Sequence, residues 1–143
     1  MLAEETLKII LAVIAIGFLA YFLFSIYNTN KNAKELEFAE ASLNYLMQEI
    51  SSEKEEVQIY NPTKYWVCSW PNSDAGEEMP VSCLNMGWES CVCICKKDTS
   101  NKCDSKGICV DNSQDFSVPE SIEIKDPPIT LSINYFEKII SKK

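Results

Sequence analysis

Cysteine is the residue type in this chain whose number and spacing suit chemistry, and the stretch ESCVCICKK (89–97) sets Cys91, Cys93 and Cys95 at alternate positions. Thiols in such a pattern hold a metal, exchange in a redox site, or close as disulfides. In an extended strand the three sulfurs point to one face, and Val92 and Ile94 to the other. Alternate side chains on one face stand roughly 6.5 to 7 Å apart, too far to bridge to one another comfortably. Each therefore needs a partner elsewhere, and Cys83, Cys103 and Cys109 are near in sequence. A nested hairpin order suggests Cys95 with Cys103, Cys93 with Cys109 and Cys83 with Cys91, one of six ways of joining the two sets of three. Cys68, the seventh cysteine, shares a strand face with Trp66 and Trp70 and is expected to be a small buried hydrophobe whose thiol stays outside the bridges.

Tetrahedral zinc and iron–sulfur sites typically draw on ligand pairs separated by two residues. Here one residue separates the strand cysteines, five separate Cys103 from Cys109, and there is no histidine to share the ligation. A redox site of the thioredoxin type would need a C-x-x-C pair, which is absent. The expectation is three structural disulfides, with no metal and no cofactor, each bridge stabilising by about 2–4 kcal/mol. Cysteines so used belong in an oxidising compartment.

Composition narrows the function classes. The chain has 143 residues and carries 13 cations against 21 acids, a net charge of −8, and every cation is lysine. Without arginine it lacks the fork that reads phosphates and base edges, so nucleic acid is not an expected partner. Without histidine it lacks the usual proton shuttle and partner for a nucleophile, and SKG (105–107) lacks the frame of a phosphate loop. No catalytic residue is therefore assigned and no enzymatic activity is expected.

The elements that must carry the cysteines begin with an apolar run. From Ile9 to Tyr27 no residue is charged. At about 1.5 Å per residue the run crosses a hydrocarbon core of roughly 30 Å, and it exceeds the apolar region of a cleaved signal peptide. Lys8 before the run against Lys31 and Lys34 after it favours an internal C-terminal portion, whereas the cysteines favour an external one. The cysteines are taken to decide, placing residues 28–143 outside.

Leu36, Ala39, Leu43, Leu46, Met47 and Ile50 then recur at steps of three and four, so the helix continues as an amphipathic one. Its apolar stripe is expected to pack on the chain's own globular part; the alternative is a seam between subunits. Strands are predicted at 57–60, 65–70, 91–95, 108–110, 121–125 and 129–134, with a short closing strand at Ile139 and Ile140. NPTK (61–64) is read as a turn, 72–80 as an exposed acidic loop, and Gly107 as a turn residue before the Cys109 strand. The expected fold is α+β: a long hydrophobic-to-amphipathic helix (1–55) carrying a small antiparallel, disulfide-braced β head (56–143).

A short polar start, Glu5, the apolar half-helix, the amphipathic half and a β-rich head together resemble type IV pilins and archaeal pilin-like filament subunits. The resemblance implies that the chain polymerises with copies of itself through Glu5, Ile9, Ile10, Val13, Ile16, Gly17, Ala20 and Phe24. Residues 9–27 would sit in the membrane before assembly and in a filament core after it. It also implies that Glu5 is offset by a neighbour's terminal amine; by itself, an acid at this position also suits the first turn of any helix. The pattern Cys91, Cys93, Cys95, Cys103, Gly107, Cys109 resembles that of uncharacterised membrane-anchored archaeal proteins and implies no activity. The expected place is the cell surface, with the ligand of the head left open. The other reading is a single-pass anchored extracellular binding module.

Overall fold

The computed structural model describes residues 2–60, 62–71, 74, 76, 78–97 and 100–143. Parts of the expected 61–64 turn and 72–80 loop (61, 72, 73, 75 and 77) lie outside the described residues. Helix α1 runs Leu2–Ser51, followed by β1 (Glu56–Ile59), β2 (Trp66–Trp70), α2 (Val81–Asn85), β3 (Cys91–Cys95), α3 (Ser100–Lys106) and β4 (Gly107–Asp111). The chain closes with β5 (Ile122–Glu123), β6 (Ile129–Asn134) and β7 (Ile139–Lys142). The fold is α+β with a disulfide-braced head. Among the described residues the strands form two sheets, a three-stranded one ordered β1-β6-β7 and a four-stranded one ordered β4-β3-β2-β5, and each of these strand pairs is antiparallel.

Packing divides the chain between Lys34 and Glu35. The cause is the apolar stripe of α1. Ala39, Leu43, Leu46 and Ile50 are buried, and Leu36 and Met47 half-buried, so this stretch belongs with the sheets. It joins Val57 and Ile59 of β1, Leu131 and Ile133 of β6, Ile140 of β7, Val67 of β2, and Val92 and Ile94 of β3 in one aliphatic core.

Local chemistry ends α1. Glu53 takes a left-handed φ of 58°, and its N–H donates to the Ile50 carbonyl (3.0 Å) while that of Lys54 donates to Glu49 (3.1 Å). This pair of bonds is the Schellman arrangement, formed here without glycine. The Tyr135 hydroxyl stands within donating distance of the Ile50 carbonyl at the helix end (3.3 Å) and of the Lys54 carbonyl just beyond it (2.6 Å), and its ring meets Phe116 edge-on at 5.6 Å. Helix-end carbonyls that would otherwise lack partners are thereby satisfied.

Strand β3 is buried on both faces. Its alternation is not apolar against polar but aliphatic against sulfur: Val92 and Ile94 enter the aliphatic core, and Cys91, Cys93 and Cys95 enter a second cluster. Two short helices, α2 and α3, flank it where no helix was expected. Each is too short to show a periodic stripe, which is why sequence patterning passed them over. Gly107 opens β4 and is not a turn residue. A Cβ there would lie 2.9 Å from both the Cys103 carbonyl and the Cys95 sulfur, so glycine serves close approach.

Candidate functional site

Two regions have properties beyond those needed to fold, and each is described by itself. In residues 2–34, every described residue is exposed. Ile9, Val13, Ile16 and Phe24 are each more than 60% exposed, and Ile10 is half exposed. A Cβ on Gly17 would meet nothing within 4 Å, and Ala20 is likewise on the surface. Glu5 stands beside Glu4 in the first turn of α1, where acids favour the helix dipole. The helix is long and apolar enough to cross a membrane, by length and composition. None of the eight residues assigned to assembly is buried. The chain's own fold thus leaves this surface open.

The second region is the sulfur cluster in the head. The bridges are Cys83–Cys91, Cys93–Cys109 and Cys95–Cys103, with Cα separations of 6.4, 4.1 and 4.8 Å. This is the nested order. The sheet register explains two of the pairs. Cys93 lies directly across from Cys109, and Cys95 lies across from Gly107, whose missing side chain admits the bridge to Cys103 on α3. The third bridge reaches α2, whose first turn is held by Asp104. Its carboxylate accepts the N–H groups of Val81 (3.0 Å) and Ser82 (2.8 Å). Desolvation pushes the Asp104 pKa upward, but the backbone N–H groups of Ser82 and Val81, together with the Ser82 side chain, outweigh it and hold the carboxyl below its ordinary range.

Cys68 lies directly across from Cys93, fully buried and outside the three bridges, with its sulfur 3.5 Å from the Ser121 hydroxyl. Trp66, Met79 and Trp88 pack against the cluster, and Trp70 is buried within it. The Cys93 sulfur is the hub. Besides its bond to Cys109, it lies 3.8 Å from the Cys91 sulfur and 4.0 Å from that of Cys83. Sequence spacing alone did not reveal this convergence, because α2, β3 and β4 each supply part of it.

On the opposite side of β2, the buried Tyr65 hydroxyl donates to the Glu35 carboxylate (3.3 Å), which Lys96 also approaches at 3.7 Å. Burial, then the charge of Glu35 and the hydrogen bond to it, push the Tyr65 phenol up to about 12. The three residues pin the start of the packed part of α1 to the four-stranded sheet.

Comparison with family models, with curated proteins and with solved structures found no match.

Proposed function

We propose that the chain is a structural subunit of a pilin-like surface filament, assembled through its apolar helix with the disulfide-braced head exposed. One observation carries the reading: the uncharged stretch Ile9–Tyr27 is exposed along its whole length. Apolar patches beyond a few hundred Å² mark interaction or membrane surfaces, because leaving them in water costs about 25 cal/mol per Å². In this reading the stretch contacts lipid before assembly and identical helices after it. The disulfides support an oxidising exterior for the head.

Glu5 has a defined part in this scheme. A carboxylate drawn into a dry helix bundle needs a cation beside it, so it would select a subunit register that supplies one. The even exposure around residues 9–27 also suits a single helix in lipid, which is the anchored-module reading. Electron microscopy of material sheared from expressing cells, with mass spectrometry of the same fraction, separates the two. Thin filaments containing this chain are expected; a chain found only in detergent-extracted membranes would overturn the filament reading. Within filaments, Glu5→Ala is expected to reduce assembly severely, and normal filament yield would remove the role given to that carboxylate.

A further inference from the structure

We propose that Cys83, Cys91, Cys93 and Cys109 form, in the reduced head, a four-thiolate site for a soft divalent cation of the zinc class. Their four sulfurs lie within 4.8 Å of one another. A zinc–sulfur bond of about 2.3 Å places the sulfurs of a regular tetrahedron about 3.8 Å apart. The Cys91–Cys93 and Cys83–Cys93 separations of 3.8 and 4.0 Å already match that edge. Opening the two bridges lets the bonded pairs separate to the same distance. Zinc ligands need not be neighbours in sequence, and here they converge from α2, β3 and β4.

A second observation points the same way. Trp70 Nε1 is a buried side-chain donor with no hydrogen-bond partner among the described residues. Buried indole N–H groups normally find an acceptor. Trp70 lies directly across from Cys91 and belongs to the same buried cluster. A metal-bound thiolate is a stronger acceptor than a disulfide sulfur, and N–H donors to ligand atoms are the outer-shell contacts that tune such sites. Trp66, Met79 and Trp88 complete a largely apolar surround.

A dithiol reductant gives each bridge two electrons and two protons, leaving two thiols and becoming a disulfide itself. The divalent ion then displaces four protons from four thiols and leaves a site of charge −2. Two equivalents of a small-molecule disulfide oxidant take up four electrons and four protons, becoming four thiols, as the four ligand thiolates re-form the two bridges and release the ion, so the disulfide and metal forms exclude one another. This inference is independent of the filament reading, since it concerns the head only and its outcome does not depend on polymerisation.

The test uses the full chain in detergent, reduced by a phosphine and titrated with Co²⁺ without oxygen. One equivalent giving the tetrahedral cobalt–thiolate spectrum, displaced by Zn²⁺ and absent from the oxidised protein, is expected. An octahedral spectrum would overturn the proposal. Two double variants control for general loss of stability, because each replaces two buried cysteines with a sequence separation of 8. Cys83→Ser with Cys91→Ser should abolish the tetrahedral spectrum, whereas Cys95→Ser with Cys103→Ser should retain one equivalent. Equal behaviour of the two would overturn the assignment of ligands. Trp70→Phe should keep the stoichiometry and weaken binding on the order of 10- to 100-fold; unchanged affinity would overturn its part.

Discussion

The stretches 2–34 and 35–51 lie in one helix but meet opposite surroundings. In the first, the apolar residues are exposed on every side; in the second, Ala39, Leu43, Leu46 and Ile50 form a buried stripe, although Phe38 and Tyr45 remain partly exposed beside it. Helix formation is common to both because neither contains a proline and the lone glycine, Gly17, is tolerated. What separates them is the arrangement of polar residues. Glu37, Glu40 and Asn44 keep one side of the second stretch in water and leave a single face for the sheets, while 9–27 has no polar side to turn outward. The helix with a stripe is completed by its own domain, whereas the stretch that is apolar all round is long and apolar enough to cross a membrane.

The largest test of that contrast is Leu43→Ala. Its side chain is fully buried, so the truncation is expected to cost about 2–5 kcal/mol, seen as a lower denaturation midpoint for the head. Ile16→Ala, at a position 68% exposed, should leave that midpoint within about 0.5 kcal/mol. Equal losses would erase the distinction between the two stretches. Ile16→Lys then reverses the assay: at the centre of a membrane span it should cost about 2.5–3.5 kcal/mol of insertion, while Glu40→Lys should leave insertion unchanged. Insertion that ignores Ile16→Lys would break the membrane reading of 9–27.

A smaller effect is expected at the beginning of the packed stretch. Tyr65→Phe removes the bond to Glu35 and should cost about 1 kcal/mol. The pH dependence has a definite sign. Because the folded phenol is raised from 10.0 to about 12, its contribution is complete below the unfolded value and is lost as pH rises through the folded one. Alkaline unfolding followed at fixed denaturant should show this loss in the wild type and not in Tyr65→Phe. The same loss in both proteins would sink the assignment.

Much of the architecture was legible because it rests on local periodicity. The period of three to four over Leu36–Ile50 marked the packed stripe, and the alternation in CVCIC marked β3. The short helices α2 and α3 were not legible, since five and seven residues complete too few turns to display a face. Nor was the role of Gly107, because the space that a Cβ would fill is taken by Cys103 and Cys95, and only the folded chain brings them there. The indole N–H of Trp70, without a partner among the described residues, was equally hidden, since that can be recognised only after the neighbours are in place.

The sequence by itself determined that a long apolar helix precedes an acidic, cysteine-rich β head, because hydropathy, charge and periodicity are properties of neighbouring residues. Tertiary structure decided the rest: the division of the strands into two sheets, the surface that covers residues 35–51, and the meeting of sulfurs from α2, β3 and β4 around Cys93. The physical reason is that these depend on which distant segments bury the same face, and antiparallel register then sets which side chains stand opposite one another.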